Sequence, residues 1–185
     1  MLMFEDSLMG KVLIASPTLR LGSYFARTVI YILRNSTDGS VGLIINHPLP
    51  KLKGSIVVKH EEENISLKLA KTYSGGPVEI EKGFVLHLDN HVELGVNPLI
   101  KLSFDLSLLK AVAKGTASGK NSLFIFGYCG WSSGQLEEEI INNNWLVASP
   151  DKKIIFEVKN QHKWNKYLSA LNVHPTRYMD YSGNC

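Results

Sequence analysis

The sequence has little cysteine and no long apolar run. Its two cysteines, Cys129 and Cys185, are too few for a disulfide framework, which favours a reducing compartment. No stretch approaches the roughly 20 apolar residues that a transmembrane helix requires. The first residues include Glu5 and Asp6, where a secretory signal peptide carries basic side chains. Together these absences predict a cytoplasmic protein that does not cross a membrane.

A concentrated charge of either sign is also missing. The formal net charge of the 185 residues is +3, and the 20 basic and 17 acidic side chains are scattered along the chain. Lys51, Lys53 and Lys59 lie close together, but three glutamates at 61–63 follow them. This mixture is typical of a solvated face. Nucleic-acid binding, which would need a basic patch around residues 51–59, stays an open alternative that the charge pattern does not support.

The sequence contains no internal repeat, low-complexity tract or linker. Hydrophobic residues make up 44% of the chain, and its seven prolines are spread out. A chain of this length buries roughly 70% of its unfolded surface when it folds. We therefore expect residues 1–185 to form a single domain.

Apolar runs predict strands, and the polar segments between them predict turns. The runs, rich in β-branched and aromatic residues, span 11–16, 28–34, 41–46, 84–88, 122–128 and 145–148. Turn-forming residues at 35–40 predict an antiparallel hairpin with a long loop between the second and third runs. Residues 55–60 fit either a strand or a helix, and residues 72–77 (TYSGGP) predict a rigid loop.

Three short helices are expected. One spans about 103–114, and another begins at Ser132, because Ser132 and Gln135 have the spacing of a capping box. The last spans 161–171, with apolar residues at helical spacing. Its core-facing residues are Trp164, Leu168 and Leu171.

The most unusual stretch is GYCGWSSGQLEEEI at 127–140. A glycine turn before a helix can hold an anion on backbone amides, but three glutamates at 137–139 would repel it. Cys129 on a strand-to-helix turn would fit a nucleophile elbow, although that motif requires glycine where Trp131 stands. The third interpretation is structural, with glycines for close packing and tryptophans as core anchors. We favour the structural interpretation.

The histidines do not predict a metal site. His87 alternates onto the same face as Val85, which is typical of a core histidine. His60 and Glu61 begin a zinc-protease motif, but Asn64 stands where the second histidine is required. His91 lies near His87, but a metal would need a third ligand. We therefore predict neither a metal nor a cofactor.

Several segments together resemble the YqgE/AlgH family of bacterial proteins. The matching segments are 10–17 (GKVLIASP), 25–29 (FARTV), 38–49 (DGSVGLIINHPL), 74–77 (SGGP), 83–87 (GFVLH), 127–131 (GYCGW), 134–140 (GQLEEEI), 144–146 (NWL) and Trp164. They occur in the family's order from about Gly10 to Leu171. The resemblance implies an α+β fold, with a mixed and largely antiparallel sheet folded into a pseudo-barrel and a few short helices packed on it.

The resemblance implies little chemistry. Members of the family are mostly uncharacterised, one branch is named for a proposed role in regulating alginate synthesis, and no catalytic residues carry over. The family usually has a small residue where Cys129 stands, which argues against a nucleophile there. It also commonly has an acid-containing turn before the residue that matches Phe25, whereas this chain has LGSY at 21–24.

We expect a non-enzymatic regulatory or adaptor protein, with a role in transcriptional regulation as the family resemblance implies. Its expected partner is another protein, and its oligomeric state is left open. Glycine loops and polar residues without a core task define the candidate surface, because rigid scaffolds carry function on loops. That surface consists of Gly75, Gly76, Pro77, His87, Gly130, Trp131, Gly134, Gln135 and Glu138. The alternative is a small-molecule-binding protein or enzyme with a pocket at the 75–77 and 127–135 loops, using Cys129 or His87.

Overall fold

The computed structural model describes residues 8–20, 22–50, 56–60, 63–67, 72–88, 100–103 and 121–174. The strands of this part of the chain are β1 (Val12–Ala15), β2 (Val29–Ser36), β3 (Gly39–Ile44), β4 (Ile56–His60), β5 (Glu63–Leu67), β6 (Thr72–Ser74), β7 (Val78–Leu88), β8 (Ile100–Ser103), β9 (Ser122–Trp131) and β10 (Trp145–Ala148). The helices are α1 (Gln135–Ile141) and α2 (Asn160–Ala170), and a π-helical turn (Lys153–Glu157) precedes α2.

Eight strands form one mixed sheet. Its order is β10-β1-β2-β3-β9-β7-β8, and β6 pairs with β9 beside this path. The β6–β9 pairing is parallel, and the other pairings within the sheet are antiparallel. Strands β4 and β5 form a separate hairpin. Among the described residues the end strands β10 and β8 do not pair, so the sheet is not closed into a true barrel.

The predicted α+β class with a mixed, largely antiparallel sheet is therefore confirmed. The predicted hairpin between β2 and β3 is also confirmed, but the prediction of a long loop within it is wrong. Ser36 pairs directly with Gly39, which leaves a two-residue turn. The polar residues that suggested a loop instead extend the two strands, because cross-strand pairing satisfies their backbone groups.

The core lies where the central strands meet α2. All four residues of β1 are buried, as expected for an apolar run that is covered on both faces. Trp164 of α2 is buried and donates its indole N–H to the carbonyl oxygen of Ala15 at 2.8 Å. The predicted last helix is thus confirmed, with Trp164 and Leu168 buried and Leu171 partly buried against the core.

Two other local predictions are corrected. Residues 72–74 form strand β6 and not a loop, because they pair with Phe124–Phe126 of β9. Helix α1 begins at Gln135 and not at Ser132. Residues 55–60, which fitted either a strand or a helix, contain strand β4.

The predicted 103–114 helix lies almost wholly outside the described residues, as do His91, Lys51, Lys53 and Cys185. Within the described part of the chain, no helix is both long and apolar enough to cross a membrane.

Candidate functional site

The Gly75–Pro77 loop meets strand β9 through direct contact between backbones. The Gly75 N–H donates to the carbonyl oxygen of Phe126 at 2.7 Å. A Cβ on Gly76 would lie 2.2 Å from the carbonyl carbon of Tyr128, and a Cβ on Gly127 would lie 2.6 Å from the carbonyl oxygen of Gly76. Only glycine allows backbones to approach this closely. The two glycine segments that the sequence singled out are therefore packed against each other.

Immediately after this loop, β7 bulges away from β9. Val78 pairs with Tyr128 and Gly83 pairs with Phe126, so β7 takes five steps where β9 takes two. We call residues 79–82 the β7 bulge. All four are exposed, and the side chain of Ile80 has a relative exposure of 67%. Bulges of this kind re-aim side chains away from the sheet.

The base of the β7 bulge is held by polar contacts. Tyr128 donates its hydroxyl to a carboxylate oxygen of Glu79 at 2.9 Å, and Lys82 forms a 3.0 Å ion pair with Glu79. Hydrogen bonds from Lys82 and then from Tyr128 lower the pKa of Glu79 below its ordinary value. Glu79 has a backbone φ of 44°, which non-glycine residues rarely adopt. Pro77 and the bulge residues line an open recess of about 600 Å³.

Cys129 lies inside β9 and is not on a strand-to-helix turn. Its thiol is buried and donates to the carbonyl oxygen of Gly75 at 3.3 Å. Burial raises the pKa of the Cys129 thiol to about 12. The thiolate is the nucleophilic form of cysteine, so the native protein holds Cys129 in its unreactive form at neutral pH. The nucleophile-elbow interpretation is therefore wrong.

Trp131, Trp145 and Gln135 converge on the carboxylate of Glu139. The indole N–H groups of Trp131 and Trp145 donate to one oxygen at 2.9 Å and 2.7 Å. The side-chain amide of Gln135 donates to the other oxygen at 2.9 Å. The two indole rings meet edge to face, 6.2 Å apart. This cluster fastens α1 to the ends of β9 and β10, which gives both tryptophans and Gln135 a structural task.

The turn before α1 does not offer a free anion site. The backbone N–H of Ser132 donates to the side-chain oxygen of Gln135 at 3.0 Å, which is half of the predicted capping box. The N–H of Glu138 donates to the carbonyl oxygen of Gly134. Gly134 precedes the helix with a φ of 74°, and Glu137 and Glu138 add negative charge to the first turn. These contacts and the acidic first turn argue against the anion interpretation.

The candidate surface does not form one cluster. Residues 75–77 pack beside the middle of β9, while Gly130 and Trp131 lie at its end, next to the turn and helix that carry Gly134, Gln135 and Glu138. His87 pairs with Ser122 at the opposite end of β9. Since strands rise about 3.3 Å per residue, the eight steps from Ser122 to Gly130 separate His87 from that end by up to roughly 26 Å. His87 is half-buried, with Nδ1 3.2 Å from the Leu88 carbonyl oxygen.

The sequence analysis missed a cavity at the start of α2. Its volume is about 490 Å³, and its lining includes Tyr73 of β6 and Lys163 of α2. The side chain of Lys163 is only 1% exposed. Helical spacing could have indicated this, because Lys163, Trp164, Tyr167 and Leu168 share the buried face of α2.

Comparisons with known proteins place nearly all of the chain in one family. Residues 12–176 match the AlgH-like family. A UPF0301 protein of Rickettsia canadensis is 36% identical over 189 residues, which cover 96% of each chain. A UPF0301 protein of Pseudoalteromonas translucida is 36% identical over 174 residues, which cover 90% of this chain and 92% of that protein.

Two solved structures share the fold. The solution structure of the AlgH protein from Pseudomonas aeruginosa superposes with a TM-score of 0.65 at 28% identity, over 98% of this chain and 97% of that one. A crystal structure of a Corynebacterium diphtheriae protein gives a TM-score of 0.65 at 19% identity, over 95% and 98%, and supports the fold alone. The expected resemblance is confirmed, and the chain belongs to the AlgH-like family.

Proposed function

We propose that this protein is a non-enzymatic regulatory or adaptor protein that binds a protein partner through the β7 bulge. The observation that carries the proposal is the exposed side chain of Ile80 at the bulge. Close backbone contacts hold the chain beside it, since a Cβ on Gly127 would lie 3.2 Å from the Cα of Ile80. A preorganised apolar side chain loses little conformational entropy when a partner covers it.

Exposed apolar side chains concentrate near this bulge. Of the five large, well-exposed hydrophobic residues in the described part of the chain, Val78 and Ile80 belong to this segment of β7. A third, Tyr24, places its hydroxyl 3.3 Å from that of Ser74, which directly precedes the Gly75–Pro77 loop. The other two are Met9 and Ile141. Such concentration favours a contact surface over scattered exposure.

Charges around Ile80 indicate the kind of partner. Glu79, Glu81 and Lys82 surround it, which gives the β7 bulge an apolar centre and a polar rim with one excess negative charge. Protein interfaces commonly have this arrangement. The partner would offer an apolar pocket with a basic edge.

The chemistry of Cys129 supports binding over catalysis. Its protonated thiol is buried against Gly75, so one of the two groups that the enzyme alternative would use, the other being His87, is not poised to react. The regulatory role that the family resemblance implies agrees with a protein that acts by binding.

Site-specific photo-cross-linking tests the proposal. A photoreactive phenylalanine analogue at position 80 should give a discrete, heavier adduct in cells that express the protein. The same analogue at position 141 is the control, because Ile141 is also well exposed, at 60%, but lies on α1. Adding Glu81→Lys to the position-80 protein should weaken the adduct by reversing a rim charge. The absence of an adduct at position 80, or identical adducts at both positions, would contradict the proposal.

A further inference from the structure

The cavity at the start of α2 has the size and lining of a small-molecule site. Its volume of about 490 Å³ falls in the range of roughly 300–1,000 Å³ that ligand pockets occupy. Apolar walls come from Pro48, Phe156 and Val158, and polar groups come from Tyr73, Asn160 and Lys163. Polar groups that converge beside apolar walls can orient a bound ligand.

The ammonium of Lys163 is a fixed positive charge at this cavity. It donates to the carbonyl oxygen of Ile45 at 3.0 Å and lies 5.6 Å from the centre of the Tyr73 ring. The side chain is 1% exposed, whereas lysine is among the residues that proteins bury least often. Electrostatic attraction is stronger at such a desolvated charge than in water. The positive charge of Lys163 therefore favours a negative group in the cavity.

The N-terminus of α2 adds hydrogen-bond donors on the same side. The first N–H groups of a helix have no acceptor within it, and here they belong to Asn160 and Gln161, which both line the cavity. In the described part of the chain, the N-cap residue Lys159 makes no side-chain capping bond to α2. The positive end of the 11-residue helix also favours an anion.

Tyr73 supplies a further donor. Burial raises the pKa of its phenol above the ordinary value, and a hydrogen bond with Asn160 offsets part of that rise. The phenol therefore stays protonated at neutral pH and can donate to an anion. The charged residues that line the cavity are Lys159, Lys163 and Glu157, which leaves one excess positive charge.

We propose that this cavity binds a small organic anion, with a carboxylate or phosphate group at the start of α2, near the buried charge of Lys163. The apolar body of the ligand packs against Phe156 and Val158. This site is separate from the β7 bulge, and its occupation does not depend on a protein partner there.

Titration monitored by amide NMR tests this proposal. The probes are benzoate and phenyl phosphate, which share an apolar ring, and benzamide, which is the neutral control. Saturable shifts at Asn160 and Gln161 with both anions support a site for either group, and shifts with one anion identify the group preferred. No saturable shift with either anion, or equal binding of benzamide, overturns the proposal.

Two variants locate the binding. Lys163→Met keeps an unbranched side chain and removes the charge, and it should weaken anion binding by roughly tenfold to a hundredfold. Lys166→Met is the matched control on the exposed face of α2 and should bind as the parent does. Val158→Trp retains Lys163 but fills the cavity, so it should block binding even if Lys163→Met does not fold. Unchanged affinity in Val158→Trp overturns the proposal.

Discussion

The cavity at α2 and the β7 bulge share a short stretch of sequence but are opposite in physical character. Tyr73 lines the cavity and Ile80 lies only seven residues later, in the bulge. At the cavity, the chain buries an ammonium group, that of Lys163, whereas at the bulge it exposes a large aliphatic side chain. Both reverse the usual distribution of residues between core and surface, which is the kind of deviation that indicates a function.

The two reversals differ in cost. Removing a charge from water costs several kcal/mol, so burial of Lys163 requires compensating interactions from its surroundings. Exposing one isoleucine forgoes only about 1.5–3 kcal/mol of burial, and single exposed apolar residues are common. The argument for the cavity is therefore mainly electrostatic, whereas the argument for the bulge depends on its rigid geometry and its apolar neighbours.

The largest effect is expected at Gly76, in the turn that separates the two regions. Gly76→Ala should lower the free energy of unfolding by about 3–5 kcal/mol, because the new methyl group would overlap the backbone of Tyr128. Urea denaturation measures the change. Gly134→Ala is the matched control: it also has a positive φ but nothing within 4 Å of the new Cβ, so it should cost only about 1–2 kcal/mol. Equal costs would show that backbone contact does not determine this turn.

Glu139 provides a second charge with which to compare Lys163. Glu139→Gln should lower the free energy of unfolding by about 2 kcal/mol, because two indole N–H groups lose a charged acceptor. Chemical denaturation followed by tryptophan fluorescence measures this change. Glu138→Gln, on the exposed side of the same helix, should change it by less than about 0.5 kcal/mol. Identical values for the two variants would remove the structural role assigned to the cluster.

Three buried groups that ionise only at alkaline pH link the stability of the fold to pH. The pKa of Cys129 is raised from 9.0 to about 12, and burial raises those of Tyr31 and Tyr167 from 10.0 to about 12. The folded state thus holds protons that the unfolded state releases. The stability that Cys129 contributes is complete below pH 9, and that of the two tyrosines below pH 10; each is lost as the pH rises towards 12, by about 1.4 kcal/mol per pH unit.

Urea midpoints measured between pH 7 and 11 test this slope, and Cys129→Ala should reduce the loss of stability that begins near pH 9.

Thiol labelling tests the burial of Cys129 directly. In a Cys185→Ser background, the native protein should react with a thiol reagent at pH 8 far more slowly than the urea-unfolded protein. Rapid native labelling would show that the thiol is neither buried nor protonated.

The smallest effect on stability is expected at Ile80. Ile80→Ser should change the free energy of unfolding by less than about 0.5 kcal/mol, since the side chain is mostly in water. Ile45→Val is the reference for a fully buried isoleucine and should cost about 0.5–1.5 kcal/mol. Denaturation curves measure both. A large loss at Ile80 would assign it a packing role and separate it from the proposed partner surface.

Local sequence patterns were enough to predict several strands and a helix, and tertiary contacts only reinforce these elements. Strands β1, β2, β3, β9 and β10 were predictable because their apolar, β-branched runs must be buried, and α2 because Trp164 and Leu168 recur at helical spacing. Strand β6 was not, because three residues before two glycines resemble a loop. Its parallel partner lies about 50 residues further along the chain.

The candidate sites were predictable only in part. Glycine segments at 75–76 and 127–130 indicated close backbone contact, and the structure places the two segments against each other. Neither the direction of Ile80 nor the position of His87 could be predicted, because each depends on the register between β7 and β9. A three-residue difference in that register is not encoded in any local motif.

By itself, the sequence determined most of the strands, since short-range hydrophobic patterns and turn residues act locally, and its motifs determined the family and, through the resemblance, the α+β class. Only the tertiary structure determined which reactive or charged side chains are buried. Cys129 is an unreactive core thiol because it lies within strand β9, which packs its side chain against Gly75. Lys163 became a buried charge beside a cavity because α2 packs its own apolar face onto β1 and carries the lysine with it. Burial and long-range pairing depend on the whole chain, and they set the chemistry of both groups.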